Sequence, residues 1–239
     1  SETINEQIKE IIETLTINSK KSTYIRDGFK PIIPENTKII DLKLDNEILT
    51  INFSKEFLTV NETNEELMLE ALIYSLTELK EIKKIKILVE NIPFTKLPNS
   101  NKKLPEYLDK TYGINKIYNL NSLKETSKTT IYYLSKINDY YYYVPVTKVS
   151  NEKLERVEII IKELKSTPIY HTNLISYLKA SANMTNYELL ENAISLSFNN
   201  YLIANMKEEQ ILEEVKYSIA LSLRDTYGIN EVIFNIPDS

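Results

Sequence analysis

The sequence predicts an α+β fold written twice, as two tandem α-β-β-α-β units with an added β-hairpin ahead of the second. Three observations predict it. Residues 37–90 read as strand, strand, helix and strand, with apolar residues first at every second position and then at helical spacing. Sliding the sequence along itself by 145 positions lays Leu49, Ile51 and Phe53 on Ile194, Leu196 and Phe198, with Thr50 and Asn52 on Ser195 and Ser197; a shared order of elements with matched faces points to duplication. The length, 239 residues, suits two domains of roughly 100 residues, each able to bury about two-thirds of the surface its unfolded chain exposes.

Taken in order, residues 1–17 form a helix, since Ile4, Ile8, Ile11, Ile12 and Leu15 share a face behind a Thr3/Glu6 capping box. Residues 18–36 are an irregular, polar connection with Gly28, Pro31 and Pro34. The first hairpin pairs 37–45 with 47–53 through a turn at Asp45 and Asn46; it buries Ile40, Leu42, Leu44, Leu49, Ile51 and Phe53, and turns Ile48, Thr50 and Asn52 outward. A helix over 63–80 covers it. Its start is a second capping box, Thr63 with Glu66, and its stripe is Leu67, Met68, Ala71, Leu72, Ser75, Leu76 and Leu79. Ile85, Ile87 and Val89 make the closing strand, which is expected to pair beside the first strand of the hairpin as a right-handed split crossover.

Residues 91–128 read as a partly ordered linker between a first domain, 1–90, and a second, 129–239. Its Leu104, Tyr107, Leu108, Ile114, Ile117 and Tyr118 imply packing on one or both domains, with a helical turn at 105–110 and a short strand at 116–120. The second domain opens with a tyrosine-rich hairpin, 129–136 and 140–149, around Ile137-Asn138-Asp139; Pro145 donates no ladder bond, so its strand is an edge or bulged there. Leu154, Val157, Ile161 and Leu164 follow Ser150 as a helix, and the repeat then returns, with Leu67 on Leu212, Leu76 on Leu221, and Val232, Phe234 and Ile236 in the closing strand. The first unit shows no such hairpin: either it lies upstream or that unit is shorter.

Composition narrows function. Without Cys there are no disulfides or thiolate metal sites. A net charge of −5 with scattered Lys argues against nucleic acid. No segment approaches the ~20 apolar residues of a membrane span, and no signal peptide remains, so the chain is cytosolic or a trimmed ectodomain. The wealth of Ile, Lys and Asn reads as base composition.

The stretches IIPENTKIIDLKLDNEILTINFSKEFL (32–58), EELMLEALIYSLTELKEIKKIKILVE (65–90) and YYYVPVTKV (141–149) resemble the GerMN domain, found in tandem in sporulation and germination lipoproteins of spore-forming bacteria. The resemblance covers most of the chain; Leu174 to Asn183 departs from it, lacking the family's Pro-Xaa-Gly/Asn-Thr entry to the hairpin. It implies an extracytoplasmic lipoprotein, anchored through an N-terminal lipidated Cys that is absent here, as expected of a soluble fragment. The element order is also similar to the ring-building motif of secretion and sporulation channels. That likeness implies a non-enzymatic scaffold or assembly role in the channel joining mother cell and forespore, with other channel proteins or further copies as partners. The alternative is an envelope module that binds glycan or a germination signal.

Catalytic chemistry finds little support. His171 is the only His, beside no nucleophile motif, and reads as a loop residue. Glu65/Glu66 and Glu208/Glu209 read as helix-start carboxylates. Gly28, Gly113 and Gly228 are too dispersed for a phosphate loop or the Gly-Xaa-Xaa-Gly of a KH module. No catalytic, cofactor or metal residues are expected. The candidate partner-binding residues are Tyr141 and Tyr143, which face outward if Val144 and Val146 face inward, an alternation that would bury Tyr140 and Tyr142. Tyrosine offers large contact area with a polar handle; the plainer alternative is that these rings cover the second core or its contact with the linker.

Overall fold

The computed structural model describes residues 3–21, 30–166, 173–204, 207 and 210–237. The chain divides into two units, Ser1–Ile114 and Asn115–Ser239.

In the first unit, α1 (Ile4–Leu15) carries the expected Thr3/Glu6 capping box and sends Ile8 and Ile12 into the core. The strands β1 (Ile39–Asp45) and β2 (Ile48–Phe53) pair antiparallel. Their turn is Asn46–Glu47 rather than Asp45–Asn46, both residues having positive φ, as a tight two-residue hairpin turn requires. Leu49, Ile51 and Phe53 are fully buried. On β1 a register shift between Ile39 and Asp41 overturns simple alternation: Ile39 packs on the core and Ile40 is 47% exposed. Asn52 does not face water as expected; it is buried, exchanging hydrogen bonds with Asn91 at 2.7 and 3.0 Å.

The helix α2 (Glu65–Thr77) leads to β3 (Lys84–Val89), and β4 (Ile92–Pro93) turns back on it. The sheet order is β1-β2-β3-β4, with β3 parallel to β2 through Leu49↔Ile85, Ile51↔Ile87 and Phe53↔Val89. The crossover therefore joins hydrogen-bonded neighbours, and the split crossover is not formed. The strand with the unbroken apolar row, β2, takes the interior, and the bulged, partly exposed β1 takes the edge.

The Thr63/Glu66 box is likewise absent. The N-cap falls at Asn64, one residue past Thr63, and makes no side-chain cap bond; Glu66 pairs with Lys102 at 2.8 Å. Nor is α2 buried on one stripe only: Met68, Leu69, Leu72, Ile73 and Leu76 are all fully buried, while Leu67 is exposed. The residues after β3 cover its second side. Leu97, Leu108 and Tyr112 join the core, Leu104 and Ile114 pack against it, and Ile85 and Leu108 exchange backbone bonds of 2.8 Å. The expected linker thus divides at Ile114, its first part built into the first unit.

In the second unit β5 (Ile117–Asn119), β6 (Ser127–Ile137) and β7 (Tyr140–Ser150) form a sheet in the order β5-β7-β6. Tyr107 and Tyr118 remain exposed, and Ile117 packs on the second core. The helix α3 (Arg156–Leu164) begins later than Ser150 and Leu154 suggested: Ser150 ends β7, Leu154 is exposed, and Glu155 with Glu158 makes the capping box. The strands β8 (Met184–Leu189), β9 (Ala193–Phe198) and β10 (Glu231–Asn235) form a sheet ordered β10-β9-β8, with β10 parallel to β9 after the helix α4 (Glu213–Tyr227). This is the first unit's order again. Gly228, at φ 66, ends α4 in the left-handed conformation. Ile194, Leu196 and Phe198 are fully buried against Val157, Ile160, Ile219 and Leu223.

Candidate docking surface on the tyrosine-rich hairpin

The hairpin turns through Asn138 and Asp139, both at positive φ, in a tight two-residue turn. Direct pairing places Tyr133 opposite Val144, Ile131 opposite Val146, Leu134 opposite Tyr143 and Lys136 opposite Tyr141. Residues opposite one another share a face. Ile131, Tyr133, Val144 and Val146 therefore face the second core, and Tyr141 and Tyr143 lie on the other face. At Pro145 the missing N–H costs little: β5 reaches only Lys148–Ser150 of β7, and the Pro145 carbonyl accepts from the Asn115 amide at 2.8 Å.

The outer edge of β6 is engaged at two points. The Tyr132 N–H donates to Ser222 Oγ on α4 at 2.9 Å, and Leu134 exchanges backbone bonds of 2.8 Å with Ile175. The Tyr132 hydroxyl also donates to Asp225. These bonds bring α4 and the 173–183 connection alongside the hairpin, and each adds a tyrosine to its outer face. Tyr141 and Tyr177 meet edge to face with centroids 6.0 Å apart and hydroxyls 2.8 Å apart. Tyr143 meets Tyr217 with centroids 5.9 Å apart at 53°. Lys136 Nζ stands 5.8 Å from the Tyr141 ring centre.

Of the two expected site residues, Tyr141 is 37% exposed and Tyr143 is half-buried against Tyr217. The expected burial of Tyr140 fails, since it is 70% exposed; it sits beside the turn, beyond the reach of the core. Tyr142 is half-buried. Sequence reasoning missed Tyr177 and Tyr217, which stand 36 and 74 residues beyond Tyr141 and Tyr143 in elements with no local pattern to connect them. His171, Glu208, Glu209 and Gly28 lie outside the described residues. Among the described residues no three His, Asp or Glu side chains converge to hold a metal ion, and no helix is long and apolar enough to cross a membrane.

Burial, and then the acidic neighbours Glu214 and Glu213 with Tyr217, push the Tyr143 phenol above its ordinary value; Tyr177 is raised first by its hydrogen bond with Tyr141. Tyr133, on the inner face, is raised furthest, by burial and then by Glu163. A phenol with a raised folded pKa contributes stability that is whole below the ordinary value of 10.0 and is lost as pH rises beyond it. Melting temperature is therefore expected to fall between about pH 10 and 12, and Tyr133→Phe to flatten that fall; equal slopes would remove Tyr133 as its main source.

The Germane family, described as sporulation and spore germination, matches residues 1–95. The chain is 26% identical over 230 residues to the spore germination protein GerM of Bacillus subtilis (strain 168), an alignment that takes in 94% of this chain and 63% of that protein. The solved tandem GerMN domains of the sporulation protein GerM from Bacillus subtilis match with a TM-score of 0.87 at 23% identity, over 97% of this chain and 82% of that one. The latter likeness establishes the fold. These relatives are named for sporulation and germination, not for a reaction.

Proposed function

We propose that this chain, a GerM-like protein of sporulation and germination with two GerMN-type domains in tandem, works without catalysis as an assembly module on the outer side of the cytoplasmic membrane. It docks on another protein of the channel between mother cell and forespore, and its anchor is a lipidated N-terminal segment. One observation carries the reading. Tyr141, on the outer face of the hairpin, and Tyr177 and Tyr217 beside it are exposed, and the hairpin's edge is bonded to a helix and a loop, so their contact area is held in place before any partner arrives.

The test is the affinity of the chain for purified ectodomains of the channel, with peptidoglycan as competitor. Micromolar or tighter binding that glycan does not displace supports the assembly reading. Retention on glycan without protein binding would replace it with an envelope-binding role, which exposed aromatics also suit. Tyr141→Ala with Tyr143→Ala is expected to weaken partner binding about tenfold or more. Because Tyr143 is half-buried, affinity is expressed per folded molecule; a large loss of stability with that affinity intact would sink the assignment of the surface.

A further inference from the structure

Independently of the tyrosine surface, we infer that the outer edge of β10 receives an extended segment of a partner protein. The segment pairs antiparallel, with apolar side chains at alternate positions and a lysine or arginine opposite Glu231. The internal duplication carries this. Leu49 pairs with Ile85 as Ile194 pairs with Val232, so Ile85, Ile87 and Val89 of β3 correspond to Val232, Phe234 and Ile236. On β3 the backbone facing away from β2 is closed: Ile85 exchanges bonds of 2.8 Å with Leu108, the Ile87 carbonyl accepts from the Phe94 N–H at 2.9 Å, and Val89 pairs antiparallel with Ile92. Ile85, Ile87 and Val89 are buried. On β10 the corresponding groups of Val232 and Phe234 make no hydrogen bond away from β9 among the described residues. Val232, Phe234 and Ile236 are only half-buried.

Open strand edges are ordinarily blunted by a bulge, a lysine, a proline, short length or a covering segment. The other edges follow that rule. β1 carries a register shift and Lys43, β8 carries a register shift, β4 is two residues long with a proline, and β5 is three residues long. The edge of β6 is bonded to Ser222 and Ile175. Over its five residues β10 pairs in unbroken register and holds neither lysine nor proline. A strand added there gains main-chain bonds and covers three apolar side chains at once. Its charge follows from Glu231, the one charged residue of β10, which is exposed and has no ion-pair partner among the described residues. The covering segment of the first unit answers its strand in the same way, Glu106 pairing with Lys86 of β3 at 3.2 Å.

The experiment uses the intact chain and reads amide hydrogen exchange at Val232 and Phe234 by NMR. The probe is the capped peptide Thr-Val-Thr-Val-Lys, which when antiparallel sets its valines beside Phe234 and Val232 and its lysine beside Glu231. The control is the same peptide with both valine amides N-methylated. Both protein amides are expected to exchange fast in the free chain, and the probe alone to slow them saturably, about tenfold. Affinity should weaken about threefold in Glu231→Lys, a change at an exposed side chain. No slowing, equal slowing by the N-methylated control, or unchanged affinity in Glu231→Lys would overturn the inference. So would amides already slow in the dilute free chain, which means the edge is covered. Slowing that grows with chain concentration alone, with a dimer in sedimentation, would replace the partner's segment with a second copy.

Discussion

Replacing Lys148 with alanine is expected to destabilise the second unit by about 3 kcal/mol, as breaking one partner of a buried ion pair does. The Lys148 side chain is only 10% exposed. From the inner face of β7 it donates to Glu152 at 2.6 Å and to Glu163 of α3. Glu152 is also held by Lys162 at 3.2 Å, while its Oε2 is buried without a hydrogen-bond partner. Removing the ammonium leaves two carboxylates, 21% and 22% exposed, facing one another with little water. Burial by itself lowers the Lys148 pKa, but the two carboxylates outweigh it and the net shift is upward; burial raises Glu152, but Lys148 and then Lys162 outweigh that and the net shift is downward.

The signs set the pH window. A lowered carboxylate contributes stability present above its ordinary 4.5 and lost as pH falls through the folded value; a raised lysine contributes until pH passes above its ordinary 10.5. The gap between wild type and Lys148→Ala should therefore be widest between those limits and narrow on acidification. Urea unfolding at neutral pH and near pH 4 reads it. Lys162→Ala, at a side chain 56% exposed, serves as the surface control and should cost under about 1 kcal/mol. If the two variants cost the same, the buried network is not what holds α3 to the hairpin.

Glu65→Ala is the second large effect, about 2 kcal/mol in the first unit, because hydrogen bonds to a buried charged group are worth more than neutral ones. Glu65 is 2% exposed. Its carboxylate accepts from the Asn99 N–H at 2.8 Å, the Asn99 side-chain amide at 3.0 Å and the Ser100 N–H at 2.9 Å. Burial pushes its pKa up, yet the bonds from Ser100 and Asn99 together outweigh burial and hold it below the ordinary 4.5. Its contribution is therefore present above 4.5 and lost as pH falls through the folded value. The local readout is proteolysis. Native protein should resist cleavage between Lys102 and Lys116, since Leu104, Leu108 and Tyr112 are packed on the core, and Glu65→Ala should open that stretch. Rapid cleavage of the native chain would mean that the segment is not held by this anchor.

Glu65 also shows where sequence reading stops. A carboxylate at a helix start has a sufficient local reason to be there, the positive end of the helix dipole, and nothing nearby betrays a second role. The donors it holds lie 34 and 35 residues away. The docking surface divides in the same way. That Tyr141 and Tyr143 share a face opposite Val144 and Val146 follows from alternation alone. That Tyr177 and Tyr217 complete the surface, and that Tyr143 is half-buried, depends on where α4 and the 173–183 connection come to rest.

Periodicity by itself determined the element types and the buried rows of β2 and β9, the spacing of Thr3 and Glu6 determined the first cap, and self-comparison of the sequence showed the duplication, because each is written in the order of residues along the chain. Only the tertiary structure decided that β3 pairs with β2, that a bulge turns Ile40 out, that the apparent linker belongs partly to the first core, and which tyrosines meet. Those outcomes are choices among long-range pairings, each weighed by how much apolar surface and how many buried polar groups it closes off at once, and no window of local sequence contains both partners.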